Sequence, residues 1–184
     1  KYGIEFISKI KGMFAICIVD ENIKKIFLIR DRFGIKPLYY HYDNINKKIY
    51  FCSEIKGINE IKNINIEINK AEAYKFFHQG LINSNRETWF KNIFQVRPAH
   101  YIEYSQDRII EKKYYSIEDN INEEEDDKGT SFKNYINNFK EKIQTSFKEH
   151  NQFDVKAGIH LSGGVDSAVL AAISCFNKKK YNSY

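Results

Sequence analysis

Six residues constrain this chain more than any others: Ser162-Gly163-Gly164-Val165-Asp166-Ser167, set between an apolar run at 155–161 and a run of strong helix formers at 168–176. A strand that ends in paired glycines and passes directly into a helix leaves backbone N–H groups pointing outward at the positive end of the helix dipole. Such a junction suits an anion, phosphate above all, because the glycines let the backbone close on it without a Cβ in the way. The candidate phosphate-binding residues are Leu161, Ser162, Gly163, Gly164, Asp166 and Ser167, with the Ser162 and Ser167 hydroxyls as added donors. Asp166 would repel a bare phosphate, so its place here points to ordering of the loop or to a divalent cation such as Mg²⁺. The loop is not a Walker A motif, since no Gly-Lys-Ser/Thr follows, and it is not the Gly-x-Gly-x-x-Gly dinucleotide fingerprint. A turn that merely favours small residues would explain one glycine and a serine, but not this order.

Upstream, the pattern is mostly of short strands. Residues 1–10 read as the end of an amphipathic helix, and 12–19, 25–30, 37–42 and 48–52 as four strands. Turns at Asp20-Glu21-Asn22 and Asp43-Asn44-Ile45-Asn46 make these an antiparallel meander. A helix is predicted over 70–79, with Asn69 as N-cap, Glu72 at the capping-box position and Gly80 to end it. Residues 99–104 and 108–115 form a further hairpin across Ser105-Gln106-Asp107. At 118–130 the composition turns sharply acidic (Glu118, Asp119, Glu123, Glu124, Glu125, Asp126, Asp127), which reads as a solvated interdomain linker. Beyond it, Phe132, Tyr135, Ile136, Phe139, Ile143 and Phe147 recur at steps of three and four, predicting a helix behind a Ser131 cap whose apolar face packs in a core.

Several function classes are disfavoured. The formal charge of +5 comes from 29 basic and 24 acidic residues scattered along the chain, without the basic stripe of a nucleic-acid binder. No apolar stretch is long enough to span a bilayer, and the first residues do not read as a signal peptide. Cys17, Cys52 and Cys175 form no Cys-x-x-Cys pair and sit in apolar runs, as expected of buried thiols in a reducing cytosol. His41, His78, His100, His150 and His160 are dispersed, so neither a metal site nor a His-based triad is predicted.

The segment Leu161-Ser162-Gly163-Gly164-Val165-Asp166-Ser167 resembles the pyrophosphate loop of the N-type ATP pyrophosphatases, which cut ATP between the α and β phosphates and adenylate a substrate. Upstream, Gly12-Met13-Phe14-Ala15, Arg30-Asp31-Arg32-Phe33-Gly34-Ile35-Lys36-Pro37-Leu38-Tyr39-Tyr40 and Ser53-Glu54-Ile55-Lys56 are similar to class II glutamine amidotransferase domains. Both motif sets in this order resemble the layout of glutamine-hydrolysing asparagine synthetases. From the residues alone, Arg30-Asp31-Arg32 is a strand-end charge cluster and Gly34 with Pro37 a turn; the resemblance places them in the glutaminase scaffold without a catalytic step.

The resemblance implies an α+β fold followed by α/β: Ntn-hydrolase-type antiparallel sheets with helices (partial) over 1–117, the acidic linker over 118–130, and the start of an adenine nucleotide α hydrolase-like parallel sheet over 131–184. It implies ATP and Mg²⁺ as cofactors, glutamine and aspartate as further ligands, and a cytoplasmic enzyme whose oligomeric state is open, a homodimer included. In such an enzyme an N-terminal cysteine releases ammonia from glutamine, and the ammonia attacks β-aspartyl-AMP. None of the three cysteines is N-terminal, and the family places a helix like Tyr2-Gly3-Ile4-Glu5-Phe6 after its nucleophile. The chain is therefore expected to be a piece of a longer protein, without a catalytic residue of its own and inactive by itself. A β-lactam synthetase-like relative and a non-catalytic nucleotide-binding module are the alternatives. One departure stands out: the family commonly has Pro-Pro-Gly-His where this chain has Arg97-Pro98-Ala99-His100, placing Ala where Gly would adopt a positive φ more cheaply.

Overall fold

The computed structural model describes residues 3–62, 64–82, 85–105, 108–120, 131–152, 157–176 and 182–183. The chain divides into two units, Lys1–Ile121 and Asn122–Tyr184. The first begins with a 3-10 helix, Gly3–Lys9, followed by β1 (Ala15–Asp20), β2 (Lys25–Arg30), β3 (Tyr39–Asp43), β4 (Lys48–Cys52), α1 (Ile55–Asn59) and α2 (Lys70–Gln79). It continues through β5 (Ile93–Gln95), β6 (His100–Ser105) and β7 (Arg108–Lys113). All of these strands pair antiparallel, in two sheets of order β1-β2-β6-β7 and β4-β3-β5.

Alternation along β2 and β6 builds the core. Leu28 and Ile102 pack with Tyr40 of the other sheet and with Leu38 and Val96, which flank its strands β3 and β5. Their neighbours Phe27, Ile29 and Tyr101 face the opposite way, where Ile7 of the 3-10 helix covers them. β2 is thus buried on both faces, which is why its sequence is nearly continuous in apolar residues. Each fully buried aliphatic side chain in these clusters contributes roughly 1.5–3 kcal/mol.

The expected four-strand meander does not form. β2 and β3 lie in different sheets, and β6 takes the place beside β2, with Leu28 opposite Ile102. The cause is the connection at 31–38, which is folded into a knot by the two charged residues at its start. Asp31 is fully buried; its Oδ1 accepts from the amides of Phe33 (3.1 Å) and Ile35 (3.0 Å), and its Oδ2 from those of Lys36 (2.9 Å) and Phe14 (3.3 Å). Arg30 does the converse, donating to the carbonyls of Lys36 (2.9 Å), Val96 (2.8 Å) and Gly34 (2.8 Å) and to Gln95 Oε1 (3.0 Å). Burial lowers the Arg30 pKa, opposed by nearby Tyr39 and Asp31. Tyr114 closes the knot by donating its hydroxyl to the Arg30 carbonyl at 2.7 Å, and burial pushes that phenol up to about 12. Gly34 cannot be replaced here, because at its φ of 66° a Cβ would stand 2.7 Å from Pro98 Cγ and 3.1 Å from Arg30 Cζ.

Helix α2 has the predicted bounds. Asn69 Oδ1 accepts from the Ala71 amide at 3.2 Å, and Gly80, at φ 69°, ends the helix by donating to the Phe76 carbonyl. The capping box does not close: the Asn69 amide donates instead to the Trp89 carbonyl at 2.8 Å, and the buried Glu72 pairs with Lys75 at 2.5 Å. Ala99 does adopt the left-handed conformation, at φ 60°. It is held there by its amide donating to the Asp31 carbonyl and its own carbonyl accepting from Tyr114, both at 2.9 Å.

The second unit contains α3 (Phe132–His150), β8 (Gly158–Ile159), α4 (Val165–Phe176) and β9 (Asn182–Ser183), and β8 and β9 pair parallel. Of the strand predicted over 155–161, residues 158 and 159 are strand and 155–156 lie outside the described residues, as do 121–130 of the acidic segment and Gln106-Asp107 of the hairpin turn. Ser131 occupies the cap of α3, but through its carbonyl, which accepts from Asn134 at 2.8 Å, and not through its hydroxyl. Core packing is expected of the apolar face of α3, yet within this chain no residue of the helix is buried, and Phe132 and Phe139 are 79% and 65% exposed. The apolar stripe runs the length of a nineteen-residue helix, whereas the twelve residues of α4 cover only part of it. The expectation of buried thiols fails, since Cys17 and Cys175 are exposed and Cys52 is half-buried. On β1, alternation sends Ile16 and Ile18 onto the second core cluster and Cys17 to the opposite face. Among the described residues, no helix is long and apolar enough to cross a membrane.

Replacing Asp31 by Ala strands four amides, and at about 1–3 kcal/mol for each buried donor left unpaired the variant should lose at least about 3 kcal/mol of stability. Urea denaturation followed by the fluorescence of Trp89, the single tryptophan, reads this directly. At position 99 the expectation is asymmetric. Ala99→Gly exchanges relief of strain for a lost methyl and stays within about 1 kcal/mol, whereas the β-branched Ala99→Val costs more than about 2 kcal/mol; equal effects in the same denaturation assay would contradict the assigned φ.

Candidate functional site

β8 passes to α4 through a short loop whose conformation is set at Gly163. Its φ is +80°, and no heavy atom lies within 4 Å of where a Cβ would stand. Glycine is therefore required there by backbone conformation and not by packing. At Gly164 a Cβ would meet only Ser162 Oγ, at an ordinary 3.5 Å. The fold of the loop therefore does not demand the second glycine.

The predicted site residues come together on this loop and the first turn of α4. Leu161, Ser162, Gly163, Gly164 and Asp166 are exposed and Ser167 is half-buried. The helix begins at Val165, earlier than the predicted 168, so Asp166 and Ser167 belong to its first turn, where a carboxylate is favoured by the helix dipole. The first intrahelical bond runs from the Ala168 amide to the Gly164 carbonyl at 3.1 Å. Beside this turn a groove of about 650 Å³ opens between α3 and α4, walled by Ile143, Phe147, Val165 and Leu170, with Asp166 on its lining.

Sequence reasoning placed Ser162 and Ser167 as donors but missed how they connect. Their hydroxyl oxygens lie 3.2 Å apart; Ser167 donates to the Gly164 carbonyl at 3.0 Å, and the Gly164 amide donates to Ser162 Oγ at 3.4 Å. The spacing of five residues, one serine before the glycines and one a turn into the helix, is the signal that could have revealed it. Among the described residues no three His, Cys, Asp or Glu side chains gather as a metal site. A lone carboxylate at Asp166 does fit a cation such as Mg²⁺ that takes one or two protein carboxylates and completes its shell with water and phosphate oxygens.

Comparison with known families resolves the first unit. A profile for a family described as "Glutamine amidotransferase domain" matches residues 1–115, well over half of the chain. The chain belongs to the glutamine amidotransferase domain family. A second profile, described as "Asparagine synthase", matches residues 138–179, a stretch that includes the loop and α4. The chain is 34% identical to asparagine synthetase [glutamine-hydrolyzing] 2 of Bacillus subtilis (strain 168) over 175 residues, covering 92% of this chain and 23% of the relative. It is 33% identical to the putative asparagine synthetase [glutamine-hydrolyzing] 2 of Methanocaldococcus jannaschii, covering 94% and 33%, and 28% identical to amidase chyE of Penicillium rubens, covering 94% and 24%. It thus spans between about a quarter and a third of the length of these curated relatives. An amidotransferase segment followed by an asparagine synthase segment is the order of a glutamine-hydrolysing asparagine synthetase.

A Cβ at φ +80° brings roughly 1–2 kcal/mol of strain. Gly163→Ala is accordingly expected to destabilise the loop and the start of α4 by about that amount, read as faster hydrogen exchange of the Ala168 amide, while the urea midpoint followed at Trp89 stays unchanged.

Proposed function

We propose that the protein makes asparagine from aspartate in an ATP-dependent reaction, using ammonia released from glutamine. The observation that carries this reading is the presence, on one chain and in this order, of the amidotransferase match and the asparagine synthase match, the latter containing an exposed Ser-Gly-Gly-Val-Asp-Ser junction between a strand and a helix. The likeness to asparagine synthetases over more than nine-tenths of the chain supports it further. On this reading the first unit is of Ntn-hydrolase type and carries the glutaminase scaffold over 1–117. Residues 118–130 link it to a synthetase segment of adenine nucleotide α hydrolase type over 131–184. The two antiparallel sheets, and the division of the chain near residue 121, support that arrangement.

In the reaction, the β-carboxylate of aspartate attacks the α-phosphorus of ATP, forming β-aspartyl-AMP and releasing pyrophosphate. Ammonia then attacks the acyl carbon and expels AMP. The part assigned to this chain is to hold the departing pyrophosphate: Leu161 opens the loop that follows β8, Gly163 and Gly164 present amides, and Ser162 and Ser167 complete the loop. Asp166 would hold Mg²⁺ against the phosphate oxygens, where the ion supplies charge neutralisation. The reading takes the protein as cytoplasmic, with a homodimer among its assemblies. A second reading is a related amidotransferase that adenylates a different acid; amidase chyE, a relative not named as an asparagine synthetase, matches 94% of the chain.

The test is release of AMP and pyrophosphate by the intact protein, measured with and without aspartate. Aspartate-dependent release is expected; release that depends instead on another carboxylic acid would move the assignment to the second reading. Asp166→Asn should reduce adenylation by roughly a hundredfold or more while leaving glutamine hydrolysis at its wild-type rate.

A further inference from the structure

We infer that the exposed aromatic face of α2 is where two copies of this chain meet, antiparallel across a two-fold axis. The inference uses no step of the reaction assigned above; it takes the homodimer from the assemblies named there and says which surface builds it.

Helix α2 is turned inside out. Its acid, Glu72, is 5% exposed and is held by Lys75 at 2.5 Å, while Phe77 is 79% and Tyr74 63% exposed. A surface helix ordinarily sends its charges outward and its aromatic rings inward. Here the acid is drawn into the fold and the rings are left outside. Tyr74, Phe77 and His78 stand at i, i+3 and i+4 on one side of the helix, and exposed Leu81 and Ile82 follow past Gly80. The rings are in contact: Tyr74 stacks on His78 at 5.2 Å between centroids, and Phe77 meets Phe76 at 5.3 Å and Trp89 at 6.0 Å, edge on.

Area and charge select the occupant. Tyr74, Phe77, Leu81 and Ile82 together leave on the order of 500 Å² of apolar surface in water, as much as the largest patch of a typical monomer. A standard interface takes about 800 Å² from each partner, and in homodimers about 65% of that is apolar, which is again about 500 Å². The stripe therefore has the size and composition of one side of a homodimer contact. No Lys, Arg, Asp or Glu stands at 74, 77, 78, 81 or 82, so a second copy brings no like charges against the first. Antiparallel packing also sets Lys70, in the first turn, against the C-terminal end of the other copy's helix, where the dipole is negative. Parallel packing would instead set the two copies of Lys70 side by side.

The test uses the intact protein and its single tryptophan, Trp89, which is half-buried beside Phe77 and reports any cover laid over the stripe. Sedimentation velocity from about 1 to about 100 µM should show a monomer–dimer equilibrium, and acrylamide quenching of Trp89 should fall as the dimer fraction rises. Phe77→Glu and, independently, Tyr74→Glu should raise the dimer dissociation constant at least about a hundredfold, because each dimer loses an aromatic anchor twice. Phe77→Leu stays apolar and should remain within about tenfold of wild type. At 79% exposure Phe77 contributes little to the monomer, so the urea midpoint of dilute Phe77→Glu should equal that of dilute wild type. A wild-type protein that stays monomeric at about 100 µM overturns the inference, and so does a dimer that survives both Glu substitutions. Trp89 as shielded in the dilute monomer as in the dimer overturns it as well, since another cover then lies on the stripe. None of these results touches the asparagine reading, and failure of aspartate-dependent pyrophosphate release would leave the dimer surface standing.

Discussion

The Asp31 carboxylate, fully buried and accepting from the amides of Phe14, Phe33, Ile35 and Lys36, sits beside an arginine that does the opposite. Arg30 gives its protons to the carbonyls of Gly34, Lys36 and Val96. A chain that leaves one sheet for another must leave a stretch of backbone paired with neither, and buried peptide groups without partners are costly. Two adjacent residues of opposite charge solve both halves of that problem, the anion taking the N–H groups and the cation the C=O groups. The rest of the first unit follows from this knot. It frees the edge of β2 for β6, carries the chain to β3, and fixes Ala99 through the Asp31 carbonyl at the start of the last hairpin.

Charge is treated in the same way elsewhere in this unit. Glu103, buried on β6, is met by Lys112 at 2.8 Å and by Lys25, and these two hydrogen bonds hold its carboxyl below the usual carboxylate range. The second unit is built differently. The long apolar stripe of α3 is largely uncovered, and the loop residues that the fold presents are exposed. Within this chain the loop residues are tied by local hydrogen bonds, the Gly164 amide to Ser162 Oγ and the Ser167 hydroxyl to the Gly164 carbonyl.

What could be read in the sequence was whatever local chemistry decides. β2, β4 and α2 have their predicted bounds, because apolar runs, an Asn cap and a terminating glycine act within a few residues. α1 and β5, five and three residues long, are too short to show a period, and β5 exists because β3 offers it an edge, with Tyr39 opposite Gln95. The division of the strands into two sheets was invisible for a related reason: a buried Asp next to a buried Arg looks in sequence like a surface charge cluster. The loop at 161–167 was legible as a strand–glycine–helix junction, but the direction of its hydroxyl bonds was not, since that depends on which oxygen faces which proton in three dimensions.

The position of Asp166 carries the last step. In the first turn of α4 a carboxylate is stabilised by the helix dipole, so the fold has its own reason to place one there. The same dipole and the same turn of amides are what the proposed pyrophosphate would use, and two unit negative charges about 5 Å apart repel by about 3 kcal/mol at an effective dielectric of roughly 20. That is comparable to what two hydrogen bonds to a charged group contribute, about 1.5–3 kcal/mol each. A bare anion would therefore forfeit about half or more of what two such bonds provide. A divalent cation held by Asp166 would supply the neutralising charge there, and on the proposed reading the acidic residue and the glycine amides belong to one site.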